Sequence, residues 1–352
     1  MCDCEIVWFR EHRSCSGTFP GWSAARSAGP GMYGAQPDAF TPVESLLACP
    51  AVYQAKGETM HKQFYGFSEE PFAVNPDTEF LYLTSSHLKV LSSLMSGIEA
   101  KKGIMLITGE EGTGKTILLR HLVKMLDPRV KAVLINRPSE SFEEVLKGIL
   151  HDLELPLEEL DDSSMLSRFH EYLYQGLSMD ETLLIAVDDA HEISWQVLED
   201  LRMLCNPDLR VPGPGSVQEI FAGRPEFEKK LQSRELRQVL QRVEVRCRLK
   251  PLSEIEIQQY IEHRLKKVGS GLTNIFTPDA IDLICRYSQG IPRNINTLCY
   301  MAICGGYVLS RKKIGSDLVK KVFPVLGGHR PGWWQGVAGS VKALVDRVEK
   351  KL

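Results

Sequence analysis

Residues 109 to 116 read Gly109-Glu110-Glu111-Gly112-Thr113-Gly114-Lys115-Thr116, the spacing G-x-x-x-x-G-K-[ST]. Glycines at these positions let a backbone curl inward, so that several N–H groups face one anion, and a helix start directly behind them adds its own free amides. Lysine at this offset adds a cation for the β- and γ-phosphates, and the next hydroxyl is a ligand for Mg²⁺. The pattern therefore predicts ATP and Mg²⁺ bound along Gly109, Glu110, Glu111, Gly112, Thr113, Gly114, Lys115, Thr116 and Ile117, with Lys115 on the phosphates and Thr116 on the metal. A second run, Leu183-Leu184-Ile185-Ala186-Val187-Asp188-Asp189-Ala190-His191, is an apolar stretch ending in acids. Asp188 suits the Mg²⁺ shell, and Asp189 occupies the position that polarises an attacking water. A strand running into an acidic helix cap has the same composition; the phosphate loop upstream is what favours chemistry. Two arginines complete the set. Arg293, in Gly290-Ile291-Pro292-Arg293, opens a helix, and Arg242 stands just before a strand. Both suit charge on a transferring phosphoryl group, and both equally fit a surface or ion-paired arginine.

These side chains need a frame, and the hydrophobic pattern supplies one. Ile104 to Thr108 is a short apolar run of buried-strand type in front of the loop, and residues 117–123 continue behind it as a helix. Strands are predicted at residues 131–136, 183–187 and 243–249. Another at 217–222 is less apolar than a central strand should be. Helical spacing marks residues 142–153, 164–177 and 195–204. Strands alternating with helices predict a parallel sheet covered on both faces. Beyond Pro251 only helices are expected: 254–267 capped by Ser253, one opened by Thr277 and Pro278, then 293–309 and 316–322. The expectation is an α/β P-loop NTPase core over residues 60–250 with a small all-helical lid over 251–325.

Bulk properties narrow the function. A net charge of −3 gives no global basic field for nucleic acid, so DNA is not favoured. The longest uncharged run near the end, residues 294–310, is too short for a membrane span. The start, Met1-Cys2-Asp3-Cys4-Glu5, is acidic and lacks the apolar segment of a secretory signal, which predicts a cytoplasmic protein. Nine cysteines, an odd count, read as free and mostly buried thiols, and Cys2-x-Cys4 lacks a second pair with metal-ligand spacing. Residues 1–59 are rich in Gly, Pro, Ser and Ala and read as a disordered tail, or as a start placed too early with Met60 the natural one. In residues 326–352, Trp333-Trp334 precede Val337, Val341, Leu344, Val345, Val348 and Leu352 on one helical face, with Lys342, Arg347, Lys350 and Lys351 on the other. Such a segment either lies peripherally on an anionic inner-membrane surface or packs on the lid or a neighbouring subunit.

Ordered blocks across residues 60–325 resemble the ExeA/GspA-like ATPases, AAA+ proteins of general secretion, pilus and exopolysaccharide-export systems. The blocks are Phe64-Tyr65-Gly66-Phe67, Pro71-Phe72, Asn75-Pro76-Asp77, Phe80-Leu81-Tyr82-Leu83, His87 and Gly97-Ile98-Glu99, then both acidic and glycine motifs. They continue through Leu198-Glu199-Asp200-Leu201-Arg202, Gly223-Arg224-Pro225-Glu226-Phe227, Pro251-Leu252-Ser253, Tyr260-Ile261-Glu262-His263-Arg264-Leu265 and Gly290-Ile291-Pro292-Arg293-Asn294. Especially similar are the ATPases encoded beside exosortase (PEP-CTERM) and exopolysaccharide loci. The resemblance implies ATP hydrolysis, a nucleotide-dependent homo-oligomer, and envelope secretion or polysaccharide-export partners. It also implies Arg293 as the sensor-2 arginine, Arg242 as the arginine finger offered to a neighbour, Asn136 as a contact of the catalytic acid, and the Phe64 to Leu83 segment on the adenine side.

Three departures stand against this pattern. Asp189 replaces the usual Glu, Arg224 replaces the usual Gln at the sensor-1 position, and Val211-Pro212-Gly213-Pro214-Gly215 replaces the usual lead-in to the fourth strand. The shorter acid sits about 1 Å or more farther from a water, a misplacement that can cost ~10²-fold in rate. These departures keep open a non-hydrolysing nucleotide switch, and shared architecture keeps open a DNA-associated ATPase resembling the transposition proteins MuB and TniB.

Overall fold

The apolar runs form five strands: β1 (Ile104–Thr108), β2 (Val130–Ile135), β3 (Thr182–Val187), β4 (Ser216–Gly223) and β5 (Val243–Arg248). They pair in the order β2-β3-β4-β1-β5, every neighbour parallel. Between them run α2 (Ser85–Glu99), α3 (Lys115–Met125), α4 (Phe142–Asp152), α5 (Asp162–Glu171), α6 (Trp195–Leu204), α7 (Glu226–Leu231) and α8 (Arg237–Arg242), with α1 (Met60–Tyr65) ahead of them. This computed structural model describes residues 60–73, 80–136, 138–139, 141–156, 162–178, 180–204, 216–269 and 274–324. All of these belong to one contact unit, Phe40–Leu352. The readings made for residues 1–59, 75–77, 211–215 and 326–352 lie outside the described residues.

Side chains alternate across a strand, and the core follows that period of two. Ile104, Leu106, Leu183, Ile185, Val187 and Phe221 face one cluster, closed by α4 to α8. Met105, Ile107, Leu184, Ala186, Ile220 and Ala222 face the other, closed by α2 and α3. A fully buried side chain of this kind stabilises by about 1.5–3 kcal/mol. Near-continuous apolar runs in β1 and β3 are what two covered faces require.

Two local expectations are corrected. The segment at 217–222 is too polar to look central, yet β4 lies between β3 and β1 with Gln218 and Glu219 fully buried. The Gln218 Nε2 donates to the carbonyls of Lys102 (2.7 Å) and Gly97 (3.3 Å), which satisfies the donor end of a buried amide that sequence pattern alone counts as a penalty, while its Oε1 is buried without a hydrogen-bond partner. Helical spacing at 164–177 resolves into α5 followed by a π turn, Tyr172–Gly176. The wider turn lets Tyr172 and Leu173, adjacent in sequence, both pack against the same core.

After β5 come α9 (Glu254–Lys267), α10 (Pro278–Ser288), α11 (Pro292–Val308) and α12 (Ser316–Val322), the C-terminal helical lid. Ser253 caps α9 through a capping box with Glu256. Thr277 holds the N-cap position of α10, but its hydroxyl donates to the Ile314 carbonyl and accepts no capping bond from the helix amides. A third core fills this bundle, and Tyr65, Phe67, Phe72 and Phe80 from the start of the described chain belong to it. The aromatic segment assigned to the adenine side thus spends most of its rings stitching the chain start to the lid. Arg264, buried in α9, donates to the Pro71 carbonyl at 2.8 Å and lies over the Phe80 ring.

One turn of the lid packs tightly on the segment that leads into it from β5. Gly290 has φ of +74°, and a Cβ there would fall 2.2 Å from the Leu252 carbonyl oxygen. The Leu252 N–H donates to the Gly290 carbonyl at 2.8 Å. Gly290→Ala is therefore expected to lower stability by ~3 kcal/mol or more, since strain and a backbone clash add. Gly148→Ala, in exposed and uncrowded space on α4, should instead raise it by ~0.5–1 kcal/mol. Denaturant midpoints of the two variants, measured side by side, check both signs.

Candidate nucleotide-binding site

The parallel register brings sequence-remote residues to one edge. Thr108 pairs with Gly223, and Val187 with Phe221, so β1, β3 and β4 end together. Their next residues are Gly109, Asp188 and Arg224. Carboxyl ends of parallel strands are where such sheets bind ligands, because the loops there diverge. The Gly109 N–H donates to the Gly223 carbonyl at 3.2 Å, anchoring the loop to β4. Gly112 then takes φ of +79°, and a Cβ on it would meet Arg293 Cβ at 2.7 Å, so only glycine lets the lid approach this closely. The loop ends at α3, whose first turn carries no side-chain cap, leaving its amides to an anion.

Lys115 is nearly buried, its ammonium donating to the carbonyls of Gly109 (2.8 Å) and Glu110 (3.1 Å). Burial lowers its pKa, opposed by the charge of Asp188. The Thr116 hydroxyl donates to Asp188 Oδ2, and the Asp189 N–H donates to Asp188 Oδ1 at 3.0 Å. Asp188 is buried, and desolvation raises its carboxyl pKa despite the Thr116 hydrogen bond. Such a carboxylate gains from a cation beside it. No cluster of three or more His, Cys, Asp or Glu exists among the described residues that could cage a metal alone. One hydroxyl and one carboxylate are nevertheless the protein share that suits Mg²⁺, which keeps waters and takes phosphate oxygens for the rest. The glycine cradle, buried ammonium and free helix amides fit a nucleotide phosphate chain by the same chemistry.

Asp188→Asn tests whether this acid is kept for ligand or for fold. The amide can accept from Asp189 N–H and donate to Thr116, so no buried group is orphaned, while a buried charge disappears. The melting temperature of the ligand-free variant is expected to be equal to or above that of the wild type, with Mg²⁺-dependent nucleotide affinity lost. Thermal scans with and without Mg²⁺ and ATP read both.

The other expected residues separate. Asp189 follows Asp188 at φ of +51°, a rare conformation for a side-chain-bearing residue, with 44% of its side chain exposed. Its Oδ1 is 3.8 Å from His191 Nδ1. Arg293, at the start of α11, donates its N–H to the Gly112 carbonyl at 3.2 Å and places Nη1 2.5 Å from Glu111 Oε1. Arg224 Nη2 lies 2.6 Å from Glu111 Oε2. One loop carboxylate therefore holds both arginines. Arg242 ends α8 at the amino end of β5, the opposite end of the parallel strands from the loop. Six residues of strand, ~20 Å, separate it from its own site. Asn136 is exposed, one residue beyond β2. His87 is the residue whose position sequence reasoning least anticipates. Its Nδ1 accepts from Thr84, its ring hydrogen-bonds the Thr113 backbone of the loop, and burial lowers its pKa, so it braces the loop as a neutral imidazole.

Comparison with known proteins agrees with this geometry. A family model described as "AAA domain" matches residues 98–231. General secretion pathway protein A of Aeromonas hydrophila is 33% identical over 278 residues, covering 78% of this chain and 50% of that protein. The chain thus spans about half the length of the curated relative it matches. Among solved structures, Cdc6p of Pyrobaculum aerophilum superposes with a TM-score of 0.58 at 17% identity, covering 69% of this chain and 67% of that one. The ADP form of Aeropyrum pernix ORC2 gives a TM-score of 0.56 at 16% identity, covering 72% and 71%. At such identities these two speak for the fold alone. Sheet order, phosphate loop, lid and sequence relationship converge, and the chain belongs to the ExeA/GspA-like family of AAA+ proteins.

Proposed function

We propose that this chain binds ATP with Mg²⁺ and hydrolyses it as a homo-oligomer, to drive or regulate assembly of a bacterial envelope secretion or exopolysaccharide-export system. The observation that carries the reading is the meeting of Lys115, the Thr116–Asp188 pair and Arg293 at one edge of the sheet. In this reading residues 60–250 are the ATPase domain and residues 251–325 the lid. Loop amides and Lys115 bind the phosphates, Thr116 and Asp188 hold the metal, and Asp189 takes the proton of the attacking water. Bound Mg²⁺ supplies positive charge against that developing on the phosphate oxygens. Arg242 cannot serve its own site across the length of β5, so it serves a neighbour's. No described helix is long and apolar enough to cross a membrane. In this proposal the chain works in the cytoplasm with peripheral inner-membrane contact.

Subunit mixing tests the shared site. Arg242→Ala and Asp189→Asn are each expected to lose turnover by ~10³-fold while retaining ATP binding. Mixed, they should recover part of it, because an intact Arg242 from one protomer completes the intact Asp189 of another. A chain that stays monomeric with ATP, or mixtures as inert as their parts, would refute the oligomeric ATPase.

The second reading, a nucleotide switch that binds without turnover, draws on the acid itself. Asp189 is short, half exposed and held at positive φ.

A further inference from the structure

Glu111 stands out in the phosphate loop because it ties two arginines from different elements. Its Oε1 is 2.5 Å from Arg293 on lid helix α11, and its Oε2 is 2.6 Å from Arg224 at the end of β4. All three side chains are about half exposed. Exposed ion pairs contribute little to stability, so this arrangement is weakly held and readily exchanged. A phosphate group is the stronger partner for a guanidinium, offering more charge and paired acceptor oxygens. Arg224 and Glu111 also both act electrostatically on Lys115, which places them within reach of the phosphate cradle.

We propose that Glu111 is a specificity-determining residue: its carboxylate competes with the terminal phosphate of a nucleoside triphosphate for Arg224 and Arg293. The inference rests on the reading that this loop binds ATP. Loop amides and Lys115 meet phosphates common to ATP and ADP. Only the triphosphate brings a further anion that can take both arginines from Glu111. The carboxylate thus lowers the affinity for ATP more than for ADP and keeps the discrimination between them small. Its partners lie on the sheet and on the lid, so the same exchange alters how the lid helix is tied to the loop.

The experiment is calorimetric titration of the full chain with ATP and with ADP, both with Mg²⁺. The proteins are wild type, Glu111→Gln, Arg224→Gln/Arg293→Gln and the triple variant, with folding checked by thermal denaturation. Glu111→Gln is expected to tighten ATP by ~10-fold, the equivalent of one charge-assisted hydrogen bond regained, and ADP by about 2-fold or less. In the arginine-free background the same substitution should leave the ATP-to-ADP ratio unchanged. Equal tightening of both nucleotides would mean a general charge effect and overturn the proposal, as would an ATP gain that survives without the arginines. Wild type binding neither nucleotide would instead sink the ATP reading itself, and this inference with it. Wild type binding both with no differential shift sinks the inference alone.

Discussion

Lys115→Ala is expected to weaken ATP binding by ~10²-fold or more and to abolish turnover. The ammonium is nearly buried and spans the loop, held by the carbonyls of Gly109 and Glu110. Two charge-assisted hydrogen bonds to phosphate oxygens, at ~1.5–3 kcal/mol each, are lost with it. Part of this loss is felt in the bound ground state and a further part only in the transition state, where charge develops on the phosphate oxygens, so both affinity and rate fall. Burial already disfavours the charged form of this lysine, and the charge of Asp188 opposes that effect. The ligand-free fold should therefore tolerate the alanine well, with a melting temperature within a few degrees of wild type. Titration calorimetry and a coupled turnover assay on the same preparation separate the two effects. Undiminished ATP affinity in this variant would remove the loop from the site.

Asp189→Glu is expected to raise steady-state turnover by ~10–10²-fold with little change in ATP affinity. The backbone of Asp189 sits at φ of +51° and its carboxylate is directed by one rotatable bond fewer than a glutamate would have. His191 lies 3.8 Å away, too far for a hydrogen bond that would fix the acid. One more methylene extends the carboxylate by ~1 Å, enough to change a water-mediated proton transfer from poor to productive geometry. Asp189→Asn should abolish turnover and spare binding, which distinguishes a base from a spacer. An increase in rate with unchanged affinity would identify the acid's length as what limits this enzyme. A rate that stays at zero for both aspartate and glutamate would favour the nucleotide switch, in which binding alone sets assembly.

Much of this protein was written into local sequence. The glycine loop needs only eight consecutive residues, and its chemistry comes from backbone freedom and one lysine at a set offset. Likewise, strands β1 and β3 announce themselves because a sheet covered on both faces demands unbroken apolar runs, and α9 begins where Ser253 and Glu256 can cap it. Thr116 and Asp188, each expected on the metal from its own motif, meet because parallel register brings the ends of β1 and β3 level across β4. What the chain could not disclose locally depended on partners far along it. Gln218 looks wrong for a central strand until the carbonyls of Gly97 and Lys102 are placed beside it. The aromatic residues Tyr65 to Phe80 read as ligand-facing, yet their environment is set by helices some two hundred residues later. Glu111 occupies a variable position in the loop motif, and nothing in its neighbours tells of two arginines. Only the folding of the lid onto the loop, through Gly112 and the start of α11, brings Arg293 to it, and only the end of β4 brings Arg224. Local chemistry thus determined what this chain can bind, because cradle and cation lie within one turn of backbone. Tertiary structure decided which charges compete for the ligand, because ion pairs between distant elements exist only once those elements are packed.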